Sequence, residues 1–226
     1  MHLRSAVLAA ALGTVFAAHA AGPNLEKVNG SITAEAGQQY GTLETVNGSI
    51  RIGDKAVTGN AETVNGSIKV GDEARTGALE TVNGSIRAGE RAQIGGGVAT
   101  VNGSVFLDRG SSVREGVETV NGSIGLVDTD LGGGIETVNG DVTVGIGSHV
   151  RGGLRYEKPS RNVNFSLKPQ RDPRVIIGPN ARVDGALVFE RKVTLYVHRT
   201  ARTGPITGAT AIPFDGATPP IDDNND

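Results

Sequence analysis

The side chains of this sequence that could do chemistry recur at a nearly constant interval. Seven asparagines and six glutamates follow it: Asn29, Asn47, Asn65, Asn83, Asn102, Asn121 and Asn139, and Glu26, Glu44, Glu62, Glu80, Glu118 and Glu136. If the repeats stack, each set forms a column, and stacked carboxylates about 5 Å apart repel one another unless something offsets their charge. A divalent cation bound along the glutamates would do so, and calcium would then raise the melting temperature.

The alternative for the glutamate column is a solvated surface of mixed charge. A shorter basic column, Arg51, Lys69 and Arg87, has the same interval, and Ala99 interrupts the glutamates. The asparagines are expected to form a structural ladder. An Asn amide can bond to the amides above and below it, and Asn tolerates left-handed backbone angles at a corner.

Groups suited to catalysis are few. Beyond residue 20 the chain has two histidines, His149 and His198, and the whole chain has no cysteine. Neither histidine has a metal-ligand partner at helical or hairpin spacing, and the sequence contains no nucleophile elbow and no phosphate-binding loop. We therefore expect neither an enzyme nor a cofactor. Because carboxylates are abundant, a carbohydrate-active enzyme on a β-helix is a distant alternative.

The interval comes from a repeated Val-Asn-Gly motif. Its copies begin at Val28, Val46, Val64, Val82, Val101, Val120 and Val138, which are 18 or 19 residues apart, and most of them continue as Ser-Ile. Glycines break each period at three places, which indicates three short strands and three corners per repeat. The sequence predicts an all-β fold, a single-stranded parallel β-helix with about 18 residues per coil. A sandwich of antiparallel hairpins turning at Asn-Gly is the alternative.

Side-chain directions follow from the same pattern. Ile50 and Ile52 alternate, so both are expected to point inward, and small residues at Ala56, Ala74 and Ala92 suit a narrow interior. Val64 is also expected to point inward, so that Val64→Asp would cost several kcal/mol. The 19-residue intervals predict one-residue bulges. The runs Gly95-Gly96-Gly97 and Gly132-Gly133-Gly134 predict loosened corners.

The chain divides into five segments. Residues 1–20 have a positive charge at Arg4, an apolar run and a small-residue cleavage pattern at Ala18-His19-Ala20, as in a secretory signal peptide. Regular coils are predicted over 21–153 and an irregular coil with loops over 154–174, in which 163–167 looks like a decayed motif. C-terminal coils over 175–206, with Val183-Asp184-Gly185 in the place of the motif, precede a disordered acidic tail over 207–226.

Charge is distributed unevenly along the chain. Residues 21–148 hold 9 Lys and Arg against 16 Asp and Glu, whereas residues 149–202 hold 12 against 4. Opposite charges on the body and the end favour end-to-end self-association, and the basic end could instead meet an envelope polysaccharide. Nucleic acid is not expected as a partner, since aromatic residues for base stacking are scarce. No transmembrane segment is expected either.

Two families resemble parts of this chain. The Val-Asn-Gly-Ser-Ile array over 28–142 resembles the repeat regions of bacterial putative adhesins. The segment 175–206, with Ile177-Gly178-Pro179-Asn180-Ala181, looks like the polymer-forming bactofilins. The second resemblance implies a right-handed β-helix that assembles end to end, and the signal pattern implies export to a bacterial periplasm or beyond. The sequence thus predicts an exported structural scaffold, with an adhesin-like module that binds a polysaccharide or surface partner as the alternative.

Overall fold

The computed structural model describes residues 22–158 and 171–220, which form a parallel β-solenoid. Its coils are triangular, and most of them have one strand in each of three sheets. The first sheet contains β1 (Leu25–Asn29), β3 (Leu43–Asn47), β5 (Ala61–Asn65), β8 (Leu79–Asn83), β11 (Val98–Asn102), β14 (Val117–Asn121), β17 (Ile135–Asn139), β20 (Leu154–Tyr156), β23 (Leu187–Phe189) and β26 (Ile206–Thr207).

The other two sheets complete each coil. The second contains β2 (Ile32–Ala34), β4 (Ile50–Ile52), β6 (Ile68–Val70), β9 (Ile86–Ala88), β12 (Val105–Leu107), β15 (Ile124–Leu126), β18 (Val142–Val144), β21 (Arg174–Ile177), β24 (Thr194–His198) and β27 (Ala211–Phe214). The third contains β7 (Arg75–Thr76), β10 (Gln93–Ile94), β13 (Ser112–Val113), β16 (Asp130–Leu131), β19 (His149–Val150), β22 (Arg182–Val183) and β25 (Arg202–Thr203).

Every strand pair within the described residues is parallel, and each joins one coil to the next. Leu43, for example, pairs with Ala61 across 18 residues of chain. The parallel β-helix is therefore confirmed. The hairpin sandwich is wrong, because the Asn-Gly pairs lie at corners between two sheets and do not reverse the chain within one.

The core is a narrow column of aliphatic side chains inside the coils. Ile50 and Ile52 are both buried, and the position shared by Ala56, Ala74 and Ala92 is fully buried, as the sequence predicts. Later coils place Ser111, Thr129 and Ser148 at equally buried small positions. Alternation within short strands gives each coil only a few inward positions, so a chain with little bulky apolar content can still fill its interior.

The valine of the motif points outward, and its preceding threonine points inward. Thr63 is buried, whereas Val64 is only half-buried, and Val28 is 65% exposed at the first coil. The prediction of an inward Val64 is wrong because Ala61 and Thr63 take the inward positions of β5, and side chains alternate along a strand.

Left-handed backbone angles occur at a different corner from the one predicted. None of the motif asparagines has a positive φ. At the motif corner the positive angles belong to glycines, Gly30 and Gly140, whereas a continuous stack of them lies at the corner between the second and third sheets: Gly37, Lys55, Glu73, Arg91, Gly110, Asp128, Gly147 and Asn180. A left-handed geometry is therefore not the reason for asparagine in the motif.

The longer coils take their extra residue at a corner. Leu79 pairs with Val98, 19 residues on, and the whole of β8 stays in register with β11. Ile94 and Val98 are four residues apart, whereas Thr76 and Leu79 in the coil before are three apart. The predicted bulge within a strand is wrong, and the extra residue lies in the glycine corner 95–97.

The C-terminal coils differ from the prediction in two places. Val183 pairs with Val150 in the third sheet, so Val183-Asp184-Gly185 does not occupy the motif corner. The prediction of a disordered tail from residue 207 is also wrong, because Ala211–Phe214 pairs with β24 and adds another coil. The 33-residue step from Leu154 to Leu187 keeps register on both sides of the long insertion.

Three predicted features lie outside the described residues: the signal pattern of 1–20, the decayed motif at 163–167 and the end of the tail, 221–226. In 22–158 and 171–220, no helix has the length and apolar character needed to cross a membrane.

Candidate functional site

The motif asparagines form a continuous ladder of side-chain amides along one corner of the solenoid. The Nδ2 group of Asn47 donates to Oδ1 of Asn29 at 3.0 Å, and the same bond at the same distance links every later pair through Asn139. Each amide accepts from the coil above and donates to the coil below. The ladder therefore has a direction, with a spare donor at Asn29 and a spare acceptor at Asn139.

The threonine and glycine of the motif close the inner side of this corner. Thr63 Oγ1 donates to the Gly48 carbonyl at 2.8 Å, and Thr45, Thr81, Thr100 and Thr119 make the equivalent bond. A Cβ at Gly66 would lie 2.0 Å from the Gly48 oxygen. The stacked corners are therefore too close for any side chain at the glycine position, which explains the repeated glycine.

The ladder ends at its C-terminal side on an arginine. Arg191 Nη1 donates to Oδ1 of Asn139 at 2.5 Å and to the Val138 carbonyl at 3.2 Å. The guanidinium also lies over the ring of Tyr156, whose hydroxyl donates to the Gly140 carbonyl at 2.7 Å. Burial raises the pKa of Tyr156 to about 12, so this hydroxyl is a donor at neutral pH.

The glutamates form the second column that the sequence indicates, on the outer face of the first sheet. Glu26, Glu44, Glu62 and Glu80 pair in register, and Ala99 separates them from Glu118 and Glu136. Partial burial, followed by the charge of neighbouring glutamates, raises the pKa of Glu44, Glu62, Glu80 and Glu118. Folding therefore makes these four glutamates easier to protonate, first through burial and then through repulsion between neighbouring carboxylates.

No group of three or more His, Asp and Glu side chains within 22–158 and 171–220 is arranged to hold a metal ion. Neighbouring glutamates provide pairs at most. The basic column of Arg51, Lys69 and Arg87 is in register on the second sheet, on a different face of the coil. Cation binding along the glutamates stays a prediction, which a melt with calcium and with chelator decides.

The two histidines take part in local polar contacts. His149 Nε2 lies 2.8 Å from Asp184, which also binds Arg182, and these two contacts lower the pKa of Asp184. His198 is buried between Thr200 and the Asp215 carbonyl, with its ring edge against Phe214. Each histidine thus forms a side-chain contact with the following coil, His149 with Asp184 and His198 with the Asp215 carbonyl.

At the N-terminal end of the solenoid, the outermost coil has strands in register with those of the next repeat. β1 and β2 are the outermost strands of their sheets. Leu25 N donates to Thr42 O and Lys27 pairs in register with Thr45, so the N–H and C=O groups of Glu26 and the N–H group of Val28 point to the open side. Lys27 occupies the inward threonine position, where its Nζ donates to the Ser31 carbonyl at 2.7 Å.

The C-terminal end is built differently. Its outermost strand, β27, contains Pro213, which has no N–H group. Phe214 O accepts from Arg199 N, so the alternation directs Pro213 to the free edge. The sheet beside it ends in the two-residue strand β26. Short strands and proline at an edge are features that prevent further pairing, so this end is protected.

Comparison with protein-family models, curated proteins and solved structures finds no significant match to this chain. The functional argument therefore rests on the geometry of the solenoid and its two ends.

Two features of the motif corner were not predicted from the sequence: the column of threonine hydroxyl bonds, and the arginine cap, by which we mean Arg191 bonded to Asn139. A signal for the first was present, since a threonine precedes the motif valine in six successive copies, at Thr45, Thr63, Thr81, Thr100, Thr119 and Thr137. Arg191 lies 52 residues after Asn139 and outside the repeat, and only the stacking of the C-terminal coils brings the two together.

Proposed function

We propose that this chain is an exported, non-enzymatic structural protein, a rigid β-solenoid that pairs end to end through its N-terminal coil. The observation that carries the proposal is the difference between the two ends. Among the described residues, the N-terminal edge has the N–H and C=O groups of Glu26 and the N–H group of Val28 on its open side, whereas the C-terminal edge has Pro213 in the corresponding role.

The partner proposed for the N-terminal coil is a second copy of the same coil. A single competent end gives a two-fold, isologous contact, which closes at a dimer. The strands would run antiparallel across such a contact, and each copy would extend the sheets of the other. Export is proposed from the signal pattern of residues 1–20, and it would place this rod in a bacterial envelope.

Sedimentation velocity of the chain from Ala21, measured over a range of concentrations, tests this function with a matched pair of variants. Val28→Pro removes an N–H from the open edge, whereas Val28→Ala shortens the same exposed side chain and keeps the N–H. We expect dimers of wild type and of Val28→Ala, and monomers of Val28→Pro with a near-unchanged melting temperature. Equal association of all three proteins would show that the coil edge is not the contact.

The adhesin-like alternative has its own observation, a groove on the third sheet whose lining includes Arg75, Arg114 and Arg151.

A further inference from the structure

The outer face of the third sheet carries a shallow groove that no motif of the sequence indicates. Its volume is about 440 Å³, and its lining residues come from five successive coils. Arg75, Gln93, Ser112 and Asp130 lie in register along it, one from each of four neighbouring strands. The groove begins at β7 in the third coil, so none of its lining residues belongs to the N-terminal coil that makes the end-to-end contact.

Two glycines give this groove its shape. The residues that follow Ile94, Val113 and Leu131 are Gly95, Arg114 and Gly132, and the three preceding residues pair in register. Arg114 therefore stands between two positions without side chains, which leave a depression on either side of its guanidinium. All three residues line the groove.

The charge of the groove is positive and only partly balanced. Arg151 Nη2 binds Asp130 at 2.6 Å, whereas Arg75 and Arg114 form no ion pair with any described residue. Guanidinium groups bind carboxylates through two parallel hydrogen bonds. Gln93 and Ser112, which lie between the two arginines, can donate to hydroxyl groups and accept from them.

We propose that this groove binds an extended acidic polysaccharide, a chain of uronic-acid sugars lying along the solenoid axis. The coil spacing of about 4.8 Å is close to the length of one pyranose unit in an extended chain, so successive coils can contact successive sugars. Carboxylates would bind Arg75 and Arg114, and ring hydroxyls would bind Gln93 and Ser112. No aromatic residue lines the groove, which argues against a single-stranded nucleic acid, whose bases need stacking partners.

Isothermal titration calorimetry of the full chain with a polygalacturonate octamer tests the proposal. The comparison ligands are the same octamer with its carboxylates reduced to alcohols, the galacturonate monomer and a polyglutamate octapeptide. We expect the acidic octamer to bind, and the other three ligands to bind at least about tenfold more weakly.

The variants Arg114→Gln and Arg75→Gln should each weaken octamer binding by about tenfold. Arg51→Gln is the matched control, because Arg51 is an exposed arginine on the second sheet. If Arg51→Gln weakened octamer binding equally, net charge alone would account for the loss of affinity, and the proposed site would be overturned. Equal binding of the reduced octamer, the monomer or the octapeptide would overturn the ligand class, and absence of binding at millimolar octamer would overturn the proposal outright.

Discussion

The guanidinium of Arg191 ends the asparagine ladder by donating to Oδ1 of Asn139, the one ladder acceptor that has no asparagine above it. The motif array stops at residue 142, and the sequence has Lys158 in place of an asparagine two residues after Tyr156, which pairs with Thr137. A charged donor from the following coils takes the place of that asparagine. The regular and the C-terminal coils are thereby joined by a side-chain contact as well as by their sheets.

Removal of this cap is expected to destabilise the solenoid. Arg191→Met keeps an unbranched apolar side chain and loses the bonds to Asn139 and to the Val138 carbonyl, at a cost of about 1–3 kcal/mol in the free energy of unfolding. The neighbouring Lys192→Met removes an exposed ion pair with Asp172 and should cost at most about 1 kcal/mol. Chemical denaturation measures both, and equal effects would mean that the contact with Asn139 contributes nothing specific.

Because the ladder has a direction, replacing asparagine by aspartate should have different effects on stability at two of its positions. Asn83 both donates to Asn65 and accepts from Asn102, so Asn83→Asp replaces a donor with a carboxylate oxygen and should cost about 0.5–1.5 kcal/mol. Asn29 only accepts from Asn47 among the described residues, so Asn29→Asp keeps its bond and should be nearly neutral. Thermal melts at neutral pH compare them, and similar losses at both positions would contradict the assigned direction.

Threonine at the motif corner provides a second internal comparison. Thr81→Val leaves the Gly66 carbonyl without its side-chain donor and is expected to cost about 1–2 kcal/mol. Thr137 is buried at the same corner, but its Oγ1 has no hydrogen-bond partner among the described residues, so Thr137→Val should be neutral or stabilising. Denaturant midpoints of the two variants decide this, and an equal loss in both would show that the threonine bonds do not matter.

The gap at Ala99 tests the electrostatics of the glutamate column. Ala99→Glu places a carboxylate between Glu80 and Glu118, and we expect it to be less stable than Ala99→Gln by about 0.5–1 kcal/mol at pH 7. The pKa values of both neighbours are raised in the folded state, so folding favours their protonated forms. The penalty is therefore present above the raised pKa values and disappears as the pH falls towards the ordinary glutamate value of 4.5. Melts from pH 7 to pH 4 measure it, and a difference independent of pH would contradict the charge argument.

The sequence predicted the architecture because its period is carried by residues with few alternatives. A Cβ on the motif glycine would collide with the coil below, and Ile50 and Ile52 alternate as an inward pair must. Which side chain points inward next to a corner was harder to predict. Val64 is apolar and Thr63 is polar, yet Thr63 is the buried one. Its hydroxyl is satisfied by a carbonyl of the neighbouring coil, and that bond exists only after stacking.

The C-terminal coils were harder to predict because their period is interrupted. Val183-Asp184-Gly185 resembles the motif in letters but lies in the third sheet, and Ala211–Phe214 forms a strand in a proline-rich segment. The groove on the third sheet was missed for a related reason. Arg75 and Arg114 are 39 residues apart and belong to different positions of the repeat, so only the fold brings them to one surface.

The most direct test of the proposed function is sedimentation velocity of Lys27→Thr beside the wild type, over a wide range of concentration. Lys27 puts a charge at the inward threonine position of the open coil, and inward charges at an edge limit pairing. The substitution would restore the threonine found at this position in the later coils, so we expect the variant to dimerise more tightly than the wild type, which itself dimerises at high concentration. If both proteins remain monomeric throughout, the N-terminal coil is not an association surface and the scaffold proposal is contradicted.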